Sequence, residues 1–404
     1  MKANFHQCTL ADISEIVMGQ SPPGDRTNVT GGGTPLLNGP TEFGSSHPNP
    51  VQYTTDPRKF SQPEDILFCV RGSTVGRMNW SDRQYAIGRG LAAIRHKGGI
   101  EYQHYLRALI KHKLDELLSS STGSTFPNIS KDQLSNIKIE VPPLPEQRAI
   151  ARILGSLDDK IELNRHMNAT LEAMAQAIFK SWFVDFDPVR AKMEGREPAG
   201  MNAETAALFP DAFEGVDGQE VPEGWNVSTI GSVLKLAYGK ALKESDRHPG
   251  QIPVYGSNGQ VGWHDEPLVK GPGIIIGRKG NPGTVAWSQT DFFPIDTTFY
   301  VVPKVRSMNL LYLYYELMFQ NLPSQGSDSA VPGLNRNIAY MNSITIPSNE
   351  IIKRFDATIM PLFKLVHLNT MQSRTLVALR DTLLPKLISG EIRVPDAMLE
   401  VAEA

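Results

Sequence analysis

Apolar residues recur through the middle of this chain in steps of four and three. Starting at Ile150 they fall on Leu154, Leu157, Ile161, Asn164, Asn168, Leu171, Ala175, Ile178 and Trp182, and eight of these ten positions are apolar. The spacing predicts a long helix with a narrow coiled-coil seam, not the broad stripe of a helix lying on a core. Pro145 suits the first turn of such a helix, where a missing N–H costs little. Adding 205 to each number gives Phe355, Ile359, Leu362, Val366, Asn369, Ser373, Leu376, Arg380, Leu383 and Leu387, seven of them apolar. The polar steps Asn164 and Asn168 return as Asn369 and Ser373.

The segments ahead of the two helices repeat as well. "IKIEVPP" (Ile137 to Pro143) matches "NSITIPS" (Asn342 to Ser348), and "TFPNIS" (Thr125 to Ser130) lies over "AVPGLN" (Ala330 to Asn335), with Pro127 on Pro332. "LADISEIVMGQ" (Leu10 to Gln20) resembles "IGSVLKLAYGK" (Ile230 to Lys240). "ILFCVRGSTVGRMNW" (Ile66 to Trp80) resembles "IIIGRKGNPGTVAW" (Ile274 to Trp287): an apolar run meets Arg or Lys and a Gly-rich turn, then returns. One unit, a globular domain followed by a long helix, is therefore used twice. The expected fold is α+β: two similar α/β domains joined by two long antiparallel helices that form a coiled coil, with an internal pseudo-two-fold repeat. The expected segments are a domain at 1–144, a helix at 145–184, a connector with one short helix at 185–224, a second domain at 225–347, a second helix at 348–390 and a tail at 391–404.

A helix of about 38 residues is roughly 57 Å long, and a bare apolar seam of that length needs a partner. Pairing the two helices head to tail about His166 and Met371 puts Asn164 beside Ser373 and Asn168 beside Asn369. A buried polar layer of this kind costs stability and penalises slipped registers. These four residues are the expected register device.

Length and composition fit this plan. At 404 residues the chain exceeds one ordinary core. It has no apolar run long enough to span a membrane and no basic-then-apolar start that would suggest a secretory leader. Two cysteines, Cys8 and Cys69, make neither a disulfide framework nor a zinc pattern, which suits a reducing cytoplasm. The net charge of −3 gives no global sign of nucleic acid, so an anionic partner has to be met by local basic patches. Such a patch exists between Val70 and Gly98, where Arg71, Arg77, Arg83, Arg89, Arg95 and Lys97 face only Asp82. Lys270, Arg278 and Lys279 are unopposed between Leu268 and Thr290. Arginine and lysine beside Gly-rich turns suit phosphate contact and bidentate reading of guanine, while Asn258, Gln260 and Asn281 suit adenine. The candidate DNA-binding residues are Arg71, Ser73, Arg77 and Arg89 in the first domain and Lys240, Asn258, Arg278, Lys279 and Asn281 in the second.

Catalytic signatures are missing. "GRKGNPGT" (Gly277 to Thr284) lacks the lysine of a phosphate-binding loop, the nine histidines show no metal spacing, and no nucleophile elbow occurs. "FEGVDG" (Phe213 to Gly218) has no strand pattern before it to support a cofactor loop. The pair Asp158–Asp159 lies on the helix and reads as a solvated face.

At this point the chain resembles the specificity subunits of type I restriction-modification systems. The resemblance rests on "VPPLPEQRAIARILGSLDDKIELN" (Val141 to Asn164), "QAIFKSWFVDFDPVRAKMEG" (Gln176 to Gly195) and "LRDTLLPKLISGEI" (Leu379 to Ile392). The second helix departs from it, since "IPSNEIIKRF" (Ile346 to Phe355) lacks the Glu-Gln pair. The resemblance implies two target recognition domains, each reading one half of a split double-stranded DNA sequence. It also implies that the helices set the gap and dock two methyltransferase subunits, with restriction and translocase subunits joining the complex. S-adenosylmethionine, ATP and Mg²⁺ would then belong to those partners, and this chain would have no catalytic site, metal or cofactor of its own. The alternatives are a methyltransferase-like enzyme with fused recognition domains, and a coiled-coil scaffold with no DNA role.

Overall fold

The structure, a computed structural model, describes residues 5–119, 127–216, 218–305, 308–325 and 333–395. The chain divides into two compact units, Met1–Arg165 with Thr370–Ala404, and His166–Asn369. The division cuts through both long helices because each half-helix packs on the domain nearest to it.

The first domain begins with β1 (His6–Thr9), the single turn α1 (Leu10–Ile13) and β2 (Ser14–Met18). Next come β3 (Thr27–Asn28), β4 (Thr34–Leu37), β5 (Gln52–Thr54), β6 (Ile66–Cys69), β7 (Met78–Trp80), β8 (Ala86–Ile87) and β9 (Leu91–His96). Helices α2 (Gln103–His112), α3 (Leu114–Ser119) and α4 (Lys131–Ser135) follow, then β10 (Lys138–Val141) and the long α5 (Leu144–Phe179). Strand β1 pairs antiparallel with β10, so the two ends of the domain meet where α5 starts. The central sheet has the order β2-β9-β6-β7 and a second sheet the order β3-β5-β4-β8. One face of the central sheet, Leu67, Leu91 and Ala93, packs on Leu37 and Ile87 of the second sheet. The opposite face, Ile66, Phe68 and Ile94, packs with Tyr105, Leu106 and Leu109 of α2 and with Leu154 and Leu157 of α5. Burial on both faces is why β6 reads as an unbroken apolar run instead of an alternating one.

Past α5, the segment Lys180–Val184 forms one wider π turn and Phe186 takes a left-handed conformation, φ 55°. The connector then holds α6 (Asp187–Met193), α7 (Ala203–Ala206) and a hairpin of β11 (Phe213–Val216) and β12 (Gln219–Pro222). This is more structure than the one short helix expected. Scattered apolar residues anchor it: Phe209 is buried edge-on to Trp182 with ring centroids 5.3 Å apart, and Val221 is buried as well.

The second domain runs through β13 (Asn226–Thr229), α8 (Ile230–Val233), β14 (Leu234–Tyr238), β15 (Ile252–Gly256), β16 (Gly259–His264), β17 (Gly273–Gly277) and β18 (Val285–Ser288). It continues with β19 (Phe293–Pro294), β20 (Thr298–Pro303), α9 (Leu310–Phe319), α10 (Arg336–Met341), β21 (Ser343–Ile346) and α11 (Asn349–Ser389). Its sheets, β14-β20-β17-β18 and β16-β15-β19, repeat the first domain almost strand for strand. Ile66 pairs with Trp80 in one copy and Ile274 with Trp287 in the other. The loop after the central hairpin returns in the same way, with Ile129 N–H donating to Val70 and Leu334 N–H to Arg278. Pro332, matched to Pro127 in the sequence, lies outside the described residues, as do Thr125, Ala330 and most of the tail.

In both units the helices run antiparallel. In the first, Asp158 meets Arg380 and Asn164 meets Ser373. In the second, Asn168 meets Asn369, and Phe179 lies against Phe355. Ile150, Leu154, Leu157 and Ile161 are buried with Leu376, Leu383 and Leu387 in one core, and Ala175, Phe179 and Trp182 with Phe355 and Ile359 in the other.

Candidate nucleic-acid interface

One end of each central sheet gathers three loops: the end of β2 or β14, the turn into β9 or β20, and the tip of the central hairpin. Close backbone approach holds them together. A Cβ on Gly19 would lie 2.1 Å from the Gly88 carbonyl oxygen, and one on Gly239 would lie 2.2 Å from that of Ile295, so both positions require glycine. The candidate residues project from these loops, apart from Asn258, which lies in the turn between β15 and β16.

In the first domain Arg71, Ser73, Arg77 and Arg89 are exposed. Arg71 follows β6 and bridges to Asn128. Arg89 is fixed through its backbone, whose N–H donates to Ser21 Oγ at 3.3 Å. Arg77 Nη1 donates to the Pro40 carbonyl at 3.4 Å. The basic run from Val70 to Gly98 does not survive as a patch. Arg95 is spent on Asp65, with two hydrogen bonds of 2.9 and 2.8 Å. Arg83 pairs with Asp82 at 3.4 Å, and Lys97 Nζ donates to the Ala11 carbonyl at 2.6 Å. Counting charges along the chain missed this because Asp65 and Ala11 come from other segments.

In the second domain Lys240, Asn258, Lys279 and Asn281 are exposed and Arg278 is half-buried. The Arg278 guanidinium carbon lies 4.8 Å from the Tyr238 ring centre and 5.8 Å from that of Phe299, and its Nη1 donates to the Asp296 carbonyl at 3.1 Å. Arg336 stands 5.2 Å from the same Tyr238 ring. Asn281 donates its side-chain amide to Asn258, joining the tips of two hairpins. A pair of amides bonded to one another can act on a base edge together, or separately once that bond opens. Lys240 is placed by its backbone N–H, which donates to the Pro294 carbonyl at 3.1 Å.

Tyr238 and Arg336 were missed from the sequence. Arg336 opens α10 as Lys131 opens α4, 205 residues earlier, so the repeat itself carried a signal for it. Nothing in a single sequence marked Tyr238 as a ring that two arginines approach. Arg278 corresponds to buried Val70, Lys279 to Arg71, Asn281 to Ser73, and Arg89 to Asp296. The two faces thus share a scaffold and differ in the groups they present.

The four residues expected to set the register meet across the seam. Asn164 Nδ2 donates to Ser373 Oγ at 3.2 Å and to Gln372 Oε1 at 3.0 Å, and Asn369 Nδ2 donates to Asn168 Oδ1 at 2.9 Å. Asn164 and Asn369 are buried. Asp158, read from the sequence as part of a solvated face, is instead largely enclosed. Arg380 Nη1 lies 2.7 Å from it, Arg107 3.8 Å and His104 3.7 Å. Burial alone would raise its carboxyl, but the nearby His104 ring, the hydrogen bond from Arg380 and the charges of Arg380 and Arg107 outweigh this and hold it at about 2. Among the described residues one group, His248, His264 and Asp265, has metal-ligand chemistry. There His264 Nδ1 accepts the His248 backbone N–H at 3.1 Å, so that nitrogen is spent on holding a turn.

The family described as "Type I restriction modification DNA specificity domain" matches residues 3–173 and 222–370, one match per copy of the repeat. The chain belongs to this family. The type I restriction enzyme HindI specificity subunit of Haemophilus influenzae is 28% identical over 408 residues, covering 83% of this chain and 88% of the relative. The MjaIX specificity subunit of Methanocaldococcus jannaschii is 25% identical over 366 residues, covering 83% and 79%. The fold is also that of a solved S subunit of a type I restriction-modification system from M. genitalium, with a TM-score of 0.61 at 18% identity over 95% of this chain and 96% of that one. In this member of the specificity family no described helix is long and apolar enough to cross a membrane.

Proposed function

We propose that this chain is the sequence-reading subunit of a type I restriction-modification complex and that its target is asymmetric and split in two. The observation that carries the reading is the pair of equivalent loop clusters bearing different groups: exposed Arg71, Ser73, Arg77 and Arg89 on one, and half-buried Arg278 with exposed Lys240, Lys279, Asn258 and Asn281 on the other. Arginine held flat by an aromatic ring reads a guanine edge in two bonds, whereas freely moving lysines suit phosphate. Two different faces on one scaffold call for two different short blocks of sequence. The paired helices set the gap between those blocks, with half-sites about one duplex turn, roughly 34 Å, apart. They also give two methyltransferase subunits equivalent docking surfaces. Methyl transfer with S-adenosylmethionine, and DNA translocation and cleavage with ATP and Mg²⁺, are the work of the partner subunits. This chain is non-catalytic.

Methylation mapping in cells carrying this chain and its methyltransferase should return two unlike blocks around a non-specific gap, and a palindrome would overturn the reading. Arg278→Ala should cost roughly 1–3 kcal/mol and relax one block only, while equal weakening on every sequence would reassign Arg278 to phosphate. Binding by the assembled complex should fall steeply with salt. S-adenosylmethionine binding by the isolated chain would favour a fused methyltransferase instead.

A further inference from the structure

Trp80 and Trp287 hold the same place in the two central hairpins, each opposite an isoleucine of the neighbouring strand. Their surroundings differ in charge. The Arg107 guanidinium stands 4.8 Å from the Trp80 ring centre, with the Asp158 carboxylate 3.8 Å from it. Beside Trp287 the fifth residue of the helix is Tyr314, not arginine, and the helix position matching Asp158 is Phe363. These rings pack edge to face, with Trp287 5.7 Å from Tyr314 and 5.3 Å from Phe363. They line a cavity of about 220 Å³, which Glu172 and Gln176 of α5 also line. We infer that this cavity is a guanidinium site, filled by an arginine side chain of a partner protein.

Three features select that ligand. Aromatic walls attract a cation through their electron-rich faces, and a planar, weakly hydrated guanidinium loses less on entering than an ammonium does. Glu172 supplies the counter-charge. Among the described residues no hydrogen bond or ion pair engages its carboxyl, which lines the cavity while remaining exposed, its partial burial raising it from the ordinary value. The amide of Gln176, one helical turn on, offers a further acceptor. The first unit already holds an arginine against the equivalent tryptophan, so this scaffold accommodates the contact. Beside the cavity α5 exposes Ala173 and Ala177, leaving room for another chain to approach.

Fluorine NMR of the full chain carrying 5-fluorotryptophan tests the site, with the five tryptophan signals assigned by substitution. N-acetyl-arginine methylamide should shift the Trp287 signal saturably and leave Trp80, whose slot Arg107 fills, unmoved. Glu172→Gln should weaken that shift about tenfold, with the other tryptophan signals in place as evidence of folding. An equal shift with the neutral citrulline analogue, or an unchanged response in Glu172→Gln, overturns the site. The partner assignment rests on the proposed assembly with a methyltransferase. Glu172→Gln should weaken that assembly about tenfold, and undiminished assembly overturns it. Failure of the wild-type complex to select a DNA sequence would instead count against the proposed function, leaving the NMR result standing.

Discussion

The two places where a domain is fastened to the helices hold the same four backbone positions and use opposite chemistry. In the first unit Trp80, Arg107, Asp158 and Arg380 form a charged knot. In the second, Trp287, Tyr314, Phe363 and Ala175 occupy the matching positions, and Phe179, Phe183, Tyr312, Tyr315 and Phe355 extend the packing into a continuous aromatic cluster. The first domain adds a tether that has no counterpart among the described residues of the second. The residues between β4 and β5 reach α5, where Ser46 donates to Glu162, whereas β15 and β16 are joined by a tight turn. Duplicated folds need conserve only the shape of a junction. An ion pair and an aromatic pair can serve the same geometry, but they respond differently to mutation, pH and salt.

The largest effect expected from breaking this comparison is Phe363→Ala. It empties a buried ring position and should cost about 3–5 kcal/mol, read as early melting of the second unit by hydrogen exchange. Asp158→Ala leaves Arg107 without its counter-charge and Arg380 with Asp381 alone, 3.0 Å away, and should cost about 3 kcal/mol in the first unit. Transplanting the other junction, as Asp158→Phe with Arg107→Tyr and Arg380→Ala, should recover most of that loss. If the triple variant is as unstable as Asp158→Ala, the two junctions are not interchangeable.

Acidity sharpens the contrast because the two units respond in opposite directions. Asp158 sits at about 2 when folded, below its ordinary value of 3.8, so its contribution is complete above pH 4 and is lost as pH falls towards 2. The loss is about 2 kcal/mol. In the second unit burial pushes the Glu316 carboxyl up to about 7 against the hydrogen bond from Gln320 and the nearby Tyr312 hydroxyl. A raised carboxyl stabilises the fold below its unfolded value, and that contribution disappears as pH rises from about 4.5 to 7. Hydrogen exchange resolved by segment should therefore show the first unit loosening on acidification and the second tightening between pH 7 and pH 5. Parallel behaviour of the two units would contradict the assignment.

The smallest expected effect is at the seam. Replacing Asn164 and Asn168 with leucine should raise thermal stability by about 1 kcal/mol while loosening the helix register. The corresponding readout is the length of the gap in the methylated target, which should become variable, and a sharp, unchanged gap would remove these residues from register control.

The sequence by itself determined the repeat, the two long helices and the polar step in their seam, because each is written as a period: four and three along a helix, 205 between copies. It also located the turns that carry Arg71, Arg89, Lys240, Arg278 and Asn281, since a Gly-rich break between apolar runs is a local signal. What it left open depended on partners distant in the chain. Asp158 looks solvated until Arg380, 222 residues later, closes on it. Arg95 looks available for DNA until Asp65 takes it, and Arg278 looks mobile until Tyr238 lies beneath it. Charge and exposure belong to the packed molecule, because a side chain's energy is set by whatever the fold brings within a few ångströms of it, and only the tertiary structure decides which residues those are.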